Sequence, residues 1–145
     1  VEAIKGLAFF DTNILVYADD DDSPEKQARS IELFAWHFRQ GTAVVSLQVL
    51  QEYFAAATRK LRVAAEIAQR KVELLSHAGV VRFEARDVVS AIELHRLTQI
   101  SFWDALIVHA ARYAGAAVLY TEDLHPGAVV GGVRVVNPFS GIDRG

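Results

Sequence analysis

Short apolar runs alternate along the chain with longer stretches in which apolar residues recur every three or four positions. The first kind reads as buried strand, the second as helix with one face against a core. Leu7-Ala8-Phe9-Phe10 opens the series as a strand and ends at Asp11-Thr12-Asn13. A short helix from Ile14 to Ala18 follows. Ser23 can cap a longer helix and Pro24 can start it, and Gly41 stops it. The expected apolar face of that helix is Ile31, Phe34, Ala35 and Phe38. Ala43-Val44-Val45 is a second strand, followed by helices from Leu47 to Arg59 and from Ala64 to Ser76, the latter ended by Gly79. Val80 to Phe83 is a third strand, and further helices run from Asp87 to Thr98 and from Ser101 to Ala114, before Gly115. Ala117 to Tyr120 is a fourth strand and Val133 to Val136 a last one, with Val129 and Val130 placed to pair with it as a hairpin across Gly131-Gly132. Strands alternating with helices imply an α/β fold with a mainly parallel sheet. No repeat, low-complexity tract or long linker interrupts the order, so a single domain over residues 1–145 is expected.

Composition narrows the chemistry. The 145 residues include no cysteine, which excludes disulfides, thiol nucleophiles and zinc–thiolate sites. A hydrophobic fraction of 52% suits a well-packed core plus an interface. No apolar run approaches the ~20 residues of a membrane span. Val1 to Gly6 lacks the basic-then-apolar layout of a secretory leader, so a cytoplasmic protein is expected. The net charge of -3 argues against a protein that coats nucleic acid. It leaves room for a nuclease, whose carboxylate site is itself negative.

The acidic residues carry the candidate chemistry. Asp11 follows the first strand and Glu122-Asp123 the fourth, and ligands of open α/β sheets bind at the carboxyl ends of strands. Asp104 lies in the first turn of its helix, where the dipole favours an anion. Converging carboxylates repel unless a hard divalent cation such as Mg²⁺ or Mn²⁺ neutralises them. Such an ion suits hydrolysis of a phosphodiester by a metal-activated water. Each acid also has a plainer reading. Asp11 can be a helix cap, Asp104 can answer Ser101 in a capping box, and Asp123 can hold the turn before Pro126-Gly127. Glu52 points away from the apolar face formed by Leu47, Leu50, Tyr53, Phe54 and Ala57, as a solvated glutamate would.

Phe10-Asp11-Thr12-Asn13-Ile14-Leu15, Gln51-Glu52-Tyr53, Phe102-Trp103-Asp104-Ala105-Leu106-Ile107 and Tyr120-Thr121-Glu122-Asp123-Leu124 occur in the order found in PIN domains. The chain most closely resembles the VapC-type toxins of bacterial toxin–antitoxin pairs. The ending Gly132 to Phe139 is similar to family members too. The resemblance implies a three-layer α/β/α fold with sheet order 3-2-1-4-5. It implies Mg²⁺- or Mn²⁺-dependent cleavage of RNA, with catalytic and metal-binding roles for Asp11, Glu52, Asp104 and Asp123. Thr12, Asn13 and Thr121 match supporting polar positions, and Asp123 fits the pattern better than Glu122. A homodimer and an inhibitory antitoxin are implied as partners; such an antitoxin often places an Arg or Lys in the acidic pocket.

Other residues divide between function and packing. Arg59, Lys60 and Arg62 can steer RNA phosphates, or simply complement a helix C-terminus. The five histidines share no ligand spacing, although His125 lies near the proposed site. Asp19 to Asp22 lacks the spacing of a calcium loop and reads as solvated. Trp36 and Trp103 read as packing residues rather than base platforms. Two alternatives to the nuclease remain. One is a non-catalytic module whose acidic pocket receives a basic partner. The other is a phosphatase with Asp11 as nucleophile, which would want an acid where Asn13 stands.

Overall fold

A computed structural model describes residues 6–142. Of the Val1 to Gly6 stretch, all but Gly6 lies outside the described residues. Among the described residues six strands form one sheet: β1 (Ala8–Phe10), β2 (Ala43–Ser46), β3 (Gly79–Val81), β4 (Val118–Tyr120), β5 (Val129–Val130) and β6 (Val133–Val136). Their order is β3-β2-β1-β4-β6-β5, with every neighbouring pair parallel except β5 and β6. The expected order 3-2-1-4-5 corresponds to β3-β2-β1-β4-β6. The difference is one edge strand, β5, which the Gly131-Gly132 turn folds back on β6. Both glycines have positive φ, +57° and +84°, as a tight hairpin turn requires.

The helices cover both faces: α1 (Thr12–Tyr17), α2 (Pro24–Gln40), α3 (Leu47–Arg59), α4 (Ala65–Leu75), α5 (Ala85–Thr98) and α6 (Phe102–Tyr113). The central strands are short and wholly apolar because both of their faces are covered. Ala8, Phe9, Phe10, Val118 and Leu119 are fully buried. Each large side chain among them contributes about 1.5–3 kcal/mol. Side chains set the starts of two helices: Ser46 Oγ accepts from Val49 N at 3.2 Å, and Ser101 Oγ from Asp104 N at 3.0 Å. α5 begins with a reciprocal capping box between Glu84 and Asp87.

Two local expectations fail. Gly79 does not end α4; the helix stops at Ser76 and Gly79 opens β3. The buried side of α2 is Ser30, Leu33 and His37, with Phe34 and Phe38 half-buried and Ile31 50% exposed. His37 makes that rotation affordable. Its Nδ1 meets Thr42 Oγ1 at 2.8 Å, its Nε2 meets Tyr120 Oη at 3.4 Å, and its ring packs edge-on to Phe10 and Trp36. A buried polar group with partners costs little, and burial lowers the His37 pKa, favouring the neutral ring.

The chain runs from β1 through β2 to β3 on one side of the sheet, then returns to β4 on the other side of β1. The β1–β4 boundary is therefore the point where strand order reverses, where open α/β sheets form their crevice. Phe10 pairs with Tyr120 in register. The residues that follow, Asp11 and Thr121, thus leave the sheet side by side.

Candidate active site

Asp11, Asp104 and Asp123 meet at this crevice, with one carboxylate oxygen from each lying within 4.8 Å of the others. No other group of three His, Cys, Asp or Glu side chains comes so close among the described residues. Asp11 is only 5% exposed, Asp104 half-buried and Asp123 exposed. Asp11 is also the N-cap of α1, its Oδ1 accepting from Thr12 N at 2.7 Å. Its other oxygen, Oδ2, accepts from Thr121 Oγ1 at 2.8 Å. The cap and the cluster are thus one side chain used twice. Asp104 is likewise both the third residue after the Ser101 cap and a member of the trio.

Thr121 ties the parts together. Fully buried, it donates to Asp11 and accepts from Asp123 N at 3.1 Å. Asn13 Nδ2 donates to Asp123 Oδ2 at 2.9 Å and to Thr121 Oγ1 at 3.4 Å. Glu52 stands beside the trio rather than in it. Its Oε1 accepts from Thr12 Oγ1 at 2.8 Å and its Oε2 from Gln48 Nε2 at 3.2 Å. The glutamate that reads as solvated on its own helix is therefore held towards the site by a residue of α1. Gln48, four residues earlier on α3, is a supporting residue the sequence reading missed, although an i,i+4 amide–acid pair was available as a signal.

Glu122 faces elsewhere. Its carboxylate accepts from Tyr17 Oη at 2.8 Å and pairs with Lys26 Nζ at 3.0 Å. Lys26 also lies over the rings of Tyr17 and Phe139. This latch fastens the loop carrying Asp123 to α1 and α2. Its bond to Glu122 raises the Lys26 pKa, and burial, then the same carboxylate, raises that of Tyr17. Asp19 to Asp22 is not simply solvated either. Asp19 accepts from Tyr53 Oη and pairs with Lys71 at 3.3 Å, and Asp21 accepts from Gln27 at 3.0 Å.

The electrostatics record the strain of gathering these acids. Burial, then the charges of Asp123 and Asp104, push Asp11 up to about 7 against the hydrogen bonds from Thr121 and Thr12. Asp104 is raised too, chiefly by burial, then by Asp123 and Glu52, against the contact with Ser101. Asn13 Oδ1 is buried with no hydrogen-bond partner among the described residues. An all-oxygen donor set, a carboxyl raised by burial and then by its acidic neighbours, and an orphaned acceptor fit a hard, hydrated divalent cation. The cluster is the floor of an open cleft of about 650 Å³, which Arg59, Lys60 and Trp103 also line. Arg62, in left-handed backbone at φ +57°, lines a separate depression with Tyr53 and Lys71. His125 is exposed and does not line the cleft.

A mainly parallel α/β sheet with three carboxylates gathered at its switch point defines the class of fold and site. Within it the chain belongs to the PIN domain family, whose model matches residues 8–129. No curated protein sequence matches the chain. Solved structures share the fold. A toxin–antitoxin complex from Klebsiella pneumoniae is 22% identical with a TM-score of 0.66, over 90% of this chain and 97% of that one. VapC20 of Mycobacterium tuberculosis, a sarcin–ricin loop cleaving toxin, is 23% identical with a TM-score of 0.65, over 80% and 89%. DNA-bound VapBC of Salmonella typhimurium is 21% identical with a TM-score of 0.63, over 90% and 96%.

Proposed function

We propose that this PIN domain is a single-domain, metal-dependent endoribonuclease and the toxin of a type II toxin–antitoxin pair. The observation that carries the reading is the meeting of Asp11, Asp104 and Asp123, from three separate parts of the chain, within 4.8 Å at the sheet's switch point. Burial beside two other acids, which pushes Asp11 up to about 7, is a cost that folding alone does not require. The kinship with toxins among the similar structures supports the choice of RNA and of an antitoxin partner.

Asp11, Asp104 and Asp123, with Glu52 beside them, would hold Mg²⁺ or Mn²⁺. When bound, such an ion polarises a phosphoryl oxygen and makes a water more acidic. Thr121 Oγ1 and Thr12 N fix the two oxygens of Asp11, and Asn13 fixes Asp123. Glu52, held by Thr12 and Gln48, orients the attacking water by accepting its hydrogen. In the hydrolysis the water oxygen bonds to phosphorus as its proton passes to bulk water, the ester P–O bond breaks, and the departing oxygen takes up a proton from bulk water. Arg59 and Lys60 sit on the cleft wall to meet flanking phosphates.

Apolar side chains at and near the surface offer places for the proposed partners. Val88, Val89 and Ile92 on α5 would be covered by a second copy. The groove of Leu47, Leu50, Phe54 and Val72 between α3 and α4 would take the antitoxin. No helix among the described residues is long and apolar enough to cross a membrane. A toxin that cleaves RNA would act in the cytoplasm, where we place the protein.

The test is cleavage of end-labelled RNA in Mn²⁺. Endonucleolytic products should appear with the unmutated chain, and be lost in EDTA and in Asp104→Asn. Cleavage that persists in excess EDTA, or in Asp104→Asn at the unmutated rate, refutes the reading.

A further inference from the structure

Trp103 stands next to Asp104 with 62% of its surface exposed. The buried side of α6 is made by Ala105, Leu106, Ile107, Val108, Ala110 and Ala111. Trp103 adds little to it, so packing does not account for an indole at this position. The ring is nevertheless braced. It meets Phe102 edge-on, with centroids 5.2 Å apart and an interplanar angle of 63°. An aromatic ring held on one side and open to solvent on the rest is a preformed flat surface, and it lines the cleft whose floor is the acidic trio.

The same cleft is lined by Arg59 and Lys60, both exposed and neither ion-paired among the described residues. A basic peptide lying along the cleft meets these two as like charges. A phosphodiester chain meets them as counter-ions, with its scissile phosphate over the acids and a base left to find an apolar surface. Unstacked bases of single strands and loops stack on aromatic rings, whereas the bases of a duplex are already stacked on one another.

We propose that Trp103 is a stacking platform that receives the base of a nucleotide adjoining the scissile phosphate, and so restricts the substrate to RNA with an unstacked base there. This rests on the ribonuclease reading and assigns a substrate-selecting residue to the same site. The platform is tolerant of base identity, since every base offers a π-face.

The test uses the full chain in the cleavage-deficient Asp11→Asn background. The probe is a fluorescein-labelled 12-nucleotide single-stranded RNA, read by anisotropy alone and after annealing to its complement. Trp103→Leu and Trp103→Ala should weaken single-strand binding roughly 5- to 150-fold, the loss expected for one base–aromatic stack. Trp103→Phe should keep most of the affinity, and the weaker binding of the duplex should change little in any of them. With Trp36→Phe added, Trp103 is the only tryptophan, and its emission should be quenched by the single strand. Leucine keeps apolar bulk but offers no ring, so Trp103→Leu binding as tightly as its parent overturns the platform. So does a change of oligomeric state on sedimentation with RNA affinity intact, which assigns Trp103 to a contact with a second copy. Loss of binding to an Arg-containing peptide with RNA affinity intact assigns it instead to a protein partner, and also overturns the platform. Cleavage by the unmutated chain in Mn²⁺ is measured alongside. If it is present while Trp103→Leu binds normally, only the platform falls; if no RNA is cleaved, the nuclease reading fails and takes the platform with it.

Discussion

Replacing Asp11 with asparagine should destroy the site's function and yet stabilise the metal-free fold. Folding carries the Asp11 carboxyl from 3.8 to about 7, because burial and the nearby Asp123 and Asp104 oppose its charge. A carboxyl raised on folding keeps its proton in the folded state at pH values where the unfolded chain has released it. Its contribution to stability is therefore fully present below about pH 3.8 and is lost as pH rises through about 7. At 1.36 kcal/mol per unit, the raised carboxyl costs about 4 kcal/mol at pH 8, where it is ionised, and about 1.5 kcal/mol at pH 5, where the folded chain keeps a proton that the unfolded chain has released. Asparagine keeps the shape, and its oxygen can still cap α1 through Thr12 N. It removes the charge, at the expense of an imperfect match to Thr121 Oγ1. In EDTA, Asp11→Asn should be more stable than the unmutated chain by about 2–4 kcal/mol at pH 8, by less at pH 5, and by almost nothing near pH 3.5. Urea unfolding followed by circular dichroism at the three pH values measures this. Added Mn²⁺ should cancel or reverse that advantage at pH 8, because binding to the folded unmutated site adds about 4.1 kcal/mol at about 1,000 times the dissociation constant. Asp11→Asn proving less stable than the unmutated chain at pH 8 in EDTA, or an advantage that does not vary with pH, refutes the reasoning.

Three further outcomes follow from the same geometry. Thr12→Val removes the hydroxyl that holds Glu52 while keeping the shape; cleavage should fall by roughly 10- to 100-fold, as for other groups that orient metal-site ligands, with little change in urea midpoint. Lys26→Met leaves Glu122 without its cation; the fold should lose about 1–2 kcal/mol, seen as a fall of roughly 3–6 °C in Tm, and Mn²⁺ affinity measured by calorimetry should weaken because the Asp123 loop is less firmly held. Ser101→Ala removes the cap of α6 and should cost about 1 kcal/mol in thermal unfolding, with Ser101→Thr restoring most of it.

The parts of the site that follow strands were legible in the sequence, because a buried apolar run announces its own end. Phe10 and Tyr120 close two such runs, and a parallel sheet puts those ends on one edge. The convergence of Asp11 and Asp123 thus followed from pattern alone once the sheet was judged parallel. Asp104 was half-legible: Ser101 marked the helix start, but nothing local says what that helix start faces. Glu52 was opaque. Helical periodicity places it off the apolar face, and its partner Thr12 lies on another helix, forty residues away in the chain. The Lys26–Glu122 latch was hidden for the same reason. Misreading α2 has a different cause. Hydrophobicity ranks Ile31 above His37, whereas the fold buries the imidazole because Thr42 and Tyr120 satisfy it. Trp103 shows the converse, since a large aromatic in a helix defaults to packing unless its surroundings are known.

The central claim is that the acids of the crevice are gathered to hold a divalent cation, and anomalous diffraction from a crystal soaked in Mn²⁺ addresses it directly. A strong peak bounded by the carboxylates of Asp11, Asp104 and Asp123 is the predicted result. A map with Mn²⁺ bound at other surface acids and none between these three would contradict the account.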